Sequence, residues 1–505
     1  MRALPRHTST FMVVRCRLLV PLLLAVSAAA GCGGNSPGTT TLDRQALMDP
    51  TVCQTCHPAQ YQQWAQSMHA YATDDPVFRA MNARAQRETS GGLGTFCLNC
   101  HAPMAVRDQM TDGTNLDAIP AASKGVTCYF CHSVTDVTDT HNNPLQLASD
   151  NHLFGPFSDP APGSPHNVSY GRFLDGATPE SANACGSCHD IVNLQGAHVE
   201  RTFGEWKGTT LSQLPNGESC AQCHMAASSA PAASTTPDRI RRVHDHGFPA
   251  VDLQASDVQP QRAAAQALLD TALQETLCLN PATRRLQLTI DNTGASGHAW
   301  PSGATPDRRA WVELTAYQGG QVIYASGNPQ PAGSFPSALP LEESSPDPDL
   351  WLIRDCIYDG GGNPLIMFWQ TEKLARSNQL PGLLIQTVSD PTTYQTHFMR
   401  EFPSAGTLSA LPDHVTVQVH LQAIGDDVLN DLVASGDLDP AVPPQIARYT
   451  LGGGASLDWT PSASNAFQAI DANNGAAMTC VATGAYKSNT TPAVSHARCA
   501  GLAPP

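Results

Sequence analysis

Five times between residues 53 and 224 the chain repeats one pentad, as CQTCH, CLNCH, CYFCH, CGSCH and CAQCH, and nothing else in the sequence limits the fold as tightly. Two thiols at this spacing can add across the two vinyl groups of one haem, and the histidine that follows is then placed to take the iron from one side. Cys53, Cys56, Cys97, Cys100, Cys128, Cys131, Cys185, Cys188, Cys220 and Cys223 are the expected attachment points. His57, His101, His132, His189 and His224 are the expected proximal ligands of five haems c. Chance would give about 0.02 such pentads in a chain of this cysteine and histidine content. A zinc knuckle also pairs cysteines, but zinc binding does not require a histidine after every second one.

Successive motifs begin 44, 31, 57 and 35 residues apart, so five macrocycles share 172 residues. That is too little chain to give each its own apolar core, and the haems themselves must form it. The content of 39 glycines and 40 prolines in 505 residues fits short helices joined by loops.

An iron held by one histidine takes a second axial ligand, and imidazole is a standard one. After His57, PAQYQQWAQSMHAYA reads as one helix with Tyr61, Ala65, Met68, His69 and Ala72 along one side. A continuous helix would set His69 about 18 Å from His57, too far to share its iron, so His69 is expected on another haem. The longest gap, 133–184, carries His141, His152 and His166 among loop-forming residues, and His152 and His166 are the preferred distal ligands there. Met225 is too near its own proximal histidine to reach the opposite face. Residues 226–238 read as a linker or a wrap over the surface. Of His244 and His246, His246 is preferred, with His244 as its hydrogen-bonded neighbour or the ligand in its place.

Arg2, Arg6, Arg15 and Arg17 precede an apolar run over 18–30, too short to span a bilayer, as in an export signal over 1–31. Ala29-Ala30-Gly31-Cys32 resembles a bacterial lipoprotein box, which makes Cys32 the expected lipidation site. Gly33, where an Asp would resemble an inner-membrane signal, favours the outer membrane, facing the periplasm or the cell surface. Residues 32–50 then read as a tether on which no fold is expected. Without residues 1–31 the formal charge moves from −16 to −20, which disfavours nucleic acid and favours basic patches on redox partner proteins. The lipid is the expected membrane anchor, since no other apolar run is long enough to cross.

Beyond residue 250 the pattern changes. QRAAAQALLDTALQ is helical, whereas RRLQLTIDN, RAWVELTAY, QVIYASG and HVTVQVHLQAI alternate as strands, with a hairpin through Gly319-Gly320 and a further helix over 428–435. The fold class is therefore α+β: a mainly helix-and-loop haem domain over 51–250, then a β-sandwich of immunoglobulin-like character over 251–505. Cys278, Cys356, Cys480 and Cys499 remain after the other cysteines are assigned, and an even remainder in an exported protein implies two disulfides. Cys480 with Cys499 and Cys278 with Cys356 are the preferred pairs of three possible connectivities.

The motifs, together with WAQSMHA, KGVTCYFCH, ERTFGEW, CAQCHM and HDHGFP, resemble the exported multihaem c-type cytochromes, in particular those related to the tetrahaem electron acceptor of hydroxylamine oxidoreductase. The resemblance covers residues 53 to about 255. It implies that His69, in the W-x-x-S-x-H segment, His166, before the fourth motif, and His246, before Gly-Phe, are distal ligands. GHAWPSGATPDRRAWVEL is similar to a segment of members with a β-domain, which makes His298 a further distal candidate.

Irons with two axial histidines have no open site, so a row of them passes electrons and binds no substrate. An electron carrier without catalytic residues is therefore expected. The alternative is an oxidoreductase acting on nitrite or hydroxylamine at one five-coordinate haem. The nitrite reductase pattern C-x-x-C-K does not occur.

Overall fold

The structure is a computed structural model that describes residues 41–213, 217–254, 259–292, 294–328, 342–375, 379–383, 397–485 and 498–499. The expected signal over 1–31, Cys32 and the first part of the tether lie outside the described residues.

In the first half each haem motif closes one helical turn. His57 N donates to Cys53 O at 2.8 Å and His189 N to Cys185 O at 3.0 Å, while CYFCH and CAQCH are helical over Cys128–His132 and Cys220–His224. One turn sets the first cysteine and the histidine on the same side, which the spacing requires. The starts are fixed by caps: Thr127 accepts from Phe130 N, and Ser219 and Gln222 form a capping box. Apolar side chains gather behind individual motifs. Phe78, Leu98, Ala102, Ala105, Leu116 and Ile119 back the second, and Met104, Tyr129, Phe130, Val134, Leu145 and Phe173 back the third.

Two local expectations are corrected. Residues 44–48 are not unstructured tether but the helix Arg44–Met48, capped by Asp43, because Leu47 and Met48 enter the cluster behind the third motif. The helix begun at Pro58 stops at Ala65, and Ser67 caps a new one, Met68–Tyr71, by accepting from Ala70 N. The 18 Å separation of His57 and His69 assumed an unbroken helix and does not apply.

The second half holds two large antiparallel sheets, besides the small pair Cys356–Tyr358 with Lys373–Ala375. One orders the strands His397–Phe402, Arg285–Asn292, Leu273–Asn280, Ala477–Ala482 and Phe467–Ile470. The other orders Gln321–Ser326, Arg309–Gln318, His414–Gln422 and Arg448–Thr450, with Trp351–Ile353 and Leu457–Trp459 also attached. Leu277, Leu286, Leu288 and Ile290 from the first sheet share one buried cluster with Val312, Leu314, Val417 and Val419 from the second. The Gly319-Gly320 hairpin forms, both glycines at positive φ as such a tight turn demands. The helices appear as Gln259–Leu269 and Asp426–Ala434; the end of the first expected helix instead begins the strand Leu273–Asn280.

The disulfides are Cys278–Cys480 and Cys356–Cys499, not the pairs preferred from sequence. Cys278 and Cys480 stand directly opposite on neighbouring antiparallel strands, with Cα atoms 4.0 Å apart. Strand pairing thus joins residues 202 positions apart, which nearness along the chain could not indicate.

The halves are joined by apolar and polar contacts. Val428, Leu429 and Leu432 pack with Val77, Ala80 and Met81 of the helix Pro76–Glu88. Arg201 reaches the buried Asp355 at 2.6 Å, and Trp369 Nε1 donates to Glu88 at 2.8 Å. Among the described residues no helix is long and apolar enough to cross a membrane.

Candidate haem-binding site

All five motif histidines have Nδ1 tied down. His57 meets Ala232 O at 2.7 Å, His101 meets Ala72 O at 3.1 Å, His132 meets Phe154 O at 2.7 Å and His224 meets Pro249 O at 2.9 Å. His189 alone meets a carboxylate, Glu200 Oε1, at 3.2 Å. A carbonyl oxygen can only accept, so at the first four Nδ1 must carry the proton and Nε2 presents its lone pair. This is the tautomer and fixed orientation that an imidazole needs to bind iron through Nε2.

Two motif histidines already face a second imidazole. The ring centres of His69 and His189 are 6.2 Å apart, and those of His132 and His246 are 6.3 Å apart. Two imidazoles on opposite sides of one metal, with metal–nitrogen bonds of about 2 Å, would place their ring centres roughly 6.3 Å apart. Burial pushes His69 down to about 3, helped by the charges of His189 and His101. Burial likewise pushes His246 down to about 4, with His132 nearby. Both rings are therefore neutral at neutral pH, as ligands must be. His189 keeps 52% of its side chain accessible although it lies deep among the motifs, so a flat group has room beside its ring. Burial disfavours its charged form, but the bond to Glu200 and that carboxylate's charge prevail and raise it to about 9.

The other distal candidates are placed less uniformly. Burial pushes His224 down to about 4, and His298, whose Nδ1 meets Ala299 O at 2.8 Å, is close enough for its charge to add to this. His166 is lowered by burial and lies near enough to His57 and His132 to feel both charges. His152 is used differently: its Nε2 bonds Ser169 Oγ at 2.9 Å, and the structure does not bring it opposite a motif histidine among the described residues. His244 Nδ1 meets Met225 O, and His244 O accepts from His246 Nδ1 at 2.9 Å, so His244 is the neighbour that orients His246.

The motifs touch through their thiols. The Cys53 thiol lies beside that of Cys128, Cys100 beside Cys188 and Cys185 beside Cys220, near enough for each pair to influence the other's ionisation. Cys131 also lies within reach of the charge on Cys185. The fourth motif is therefore the hub, next to the second, third and fifth, and the first joins through the third. Nine motif thiols are free, while Cys56 is disulfide-bonded, and a thioether at that sulphur would replace this bond.

Short segments position these groups. Trp64 Nε1 donates to Val126 O at 2.7 Å, and Val126 N donates to His69 O at 2.8 Å, which docks the His69 segment on the chain leading into CYFCH. Gly125 permits this approach: its φ is +69°, and a Cβ there would lie 2.5 Å from Ala70 O. The stretch 226–238 proves to be a wrap. Its strand Ala227–Pro231 pairs with Ile240–His244, and it then supplies Ala232 O to His57, while Ser234 N donates to Cys56 O. Sequence reasoning missed this role because backbone carbonyls carry no residue signature. It also missed Glu200, although the hairpin that returns Glu200 to the fourth motif is short enough to read.

Residues 52–133, which include the first three motifs, match the family model described as cytochrome c554 and c-prime. No curated protein sequence matches the chain. The structure is similar to a penta-heme cytochrome c552 from Thermochromatium tepidum, with 20% identity, a TM-score of 0.54 and coverage of 82% of this chain and 98% of that one. Neither half alone could supply that coverage, so the likeness extends over both. The fold is thus similar to that of this penta-heme cytochrome, and the family match covers the first three of the five motifs.

Proposed function

We propose that the chain is an electron carrier holding five haems c, exported and anchored to the outer membrane by lipid on Cys32. The observation that carries this reading is the set of five motif histidines with Nδ1 engaged, two of which face a second imidazole at 6.2 and 6.3 Å. Each bound haem would supply a centre that takes and gives one electron. The chain decides its surroundings. His69 would serve opposite His189, His246 opposite His132, His166 opposite His57 and His298 opposite His224. The thiol contacts favour passage from the first motif through the third to the fourth, and from there to the second and fifth. The acidic chain would meet redox partner proteins through their basic patches. The second half, read as an immunoglobulin-like sandwich, covers the haem half and contributes His298. Purified protein should carry five haems that survive denaturation, and mass spectrometry showing fewer would sink the reading.

A second reading, an oxidoreductase acting on nitrite or hydroxylamine, is favoured by one observation. Among the described residues no imidazole pairs with His101 as His69 does with His189; Phe78 stacks on its ring instead, with centres 3.9 Å apart. A high-spin haem in the oxidised native protein that binds nitrite would select this reading.

A further inference from the structure

Four of the five motif histidines donate to a backbone carbonyl, and one donates to a side-chain carboxylate. The exception sits at the hub. The strand Ile191–Val192 leaves the fourth motif, turns, and pairs with His198–Glu200, so that Glu200 lies opposite Ile191. Asn193 braces the turn by accepting from Gln195 N and Ala197 N. Glu200 Oε1 then stands 3.2 Å from His189 Nδ1, with the carboxylate side chain only 14% exposed. Arg308, whose charge Glu200 also acts on, is itself held two-pronged by Asp252 at 2.6 and 2.8 Å.

A carboxylate beside Nδ1–H draws that proton toward itself and leaves the ring richer in electrons than a carbonyl would. A more basic axial ligand, with a negative charge behind it, stabilises oxidised over reduced iron. We propose that Glu200 is a positioning residue that lowers the reduction potential of the haem on Cys185 and Cys188, relative to the same haem without that carboxylate. This rests on the five-haem reading. The couple is one electron added to ferric iron to give ferrous iron, with no bond made or broken. The hub then holds an electron less readily than it otherwise would.

The test is a redox titration of the full chain and of Glu200→Gln, followed by optical and electron paramagnetic resonance spectra. The expected result is one midpoint raised, with the equilibrium shifted about tenfold, or about 59 mV for one electron, and four unmoved. The haem that moves should be the one that loses its low-spin signature in His69→Ala. Glu200→Asp, which keeps the charge but withdraws it by one methylene, should give a smaller rise. Unmoved midpoints, or a shift at a different haem, would overturn the inference while leaving five haems in place. Should Glu200→Gln fail to mature, Glu200→Asp decides alone, its unmoved midpoint counting against the idea. Absence of haem on the native peptide containing Cys185 and Cys188 would instead refute the proposed function.

Discussion

In the second half twenty-nine buried residues form one apolar cluster between two sheets, and two disulfides tie strands and loops to it. Behind the second, third and fourth haem motifs the buried clusters hold six, eight and three residues. The first region can satisfy itself with its own side chains. The other supplies thiols and histidines with Nδ1 held, and relies on flat apolar groups to complete its interior. The contrast shows how one chain meets the same need by two routes: one half makes a core, and the other makes sockets.

The strongest way to break this comparison is to deny the hub its haem. Replacing Cys185 and Cys188 by Ser should leave the first half open to proteases, since the fourth motif adjoins three others, while a fragment from about residue 259 stays protected. Limited proteolysis with mass spectrometry reads both outcomes, and equal loss of both halves would show that the second cannot stand without the first. Cys278→Ser should have the opposite pattern. A crosslink between residues 202 apart stabilises by about 5 kcal/mol in the chain-entropy account, so the melting point of the β half should fall while the haem spectra stay unchanged. A smaller effect, confined to the haem half, is expected from Gly125→Ala. The strained φ and the approach to Ala70 O should cost about 2 kcal/mol and loosen His69, visible as partial high-spin character at one haem.

Much of the site was legible because its chemistry resides in side chains of fixed spacing. The pentads name the candidate attachment points and proximal ligands, and the rings of His69 in WAQSMHA and His246 in HDHGFP stand 6.2 and 6.3 Å from those of His189 and His132. The alternating strands and the Gly319-Gly320 turn were legible for the same reason, as local patterns. What escaped was decided by partners distant in sequence. The disulfide pairing follows from strand register between 273–280 and 477–482. Leu47 and Met48 fold a supposed tether because Tyr129 and Phe130, about eighty residues later, offer them a cluster. The contact of His152 with Ser169, on the strand beside it, likewise comes from strand pairing and not from any local pattern.

The contact between His57 and Ala232 spans 175 residues, and it governs the order in which the protein can be completed. His57 belongs to the first motif to leave the ribosome, yet the carbonyl that fixes its ring lies beyond the fifth. While the chain is being delivered, that imidazole turns freely, and the haem on Cys53 and Cys56 would be joined to a ligand not yet aimed. Only when the hairpin of 227–244 closes is the first site finished, and the same closure brings His246 to His132. Assembly therefore ends where synthesis began, so a chain truncated before residue 232 should carry its early haems with the first axial ligand unset.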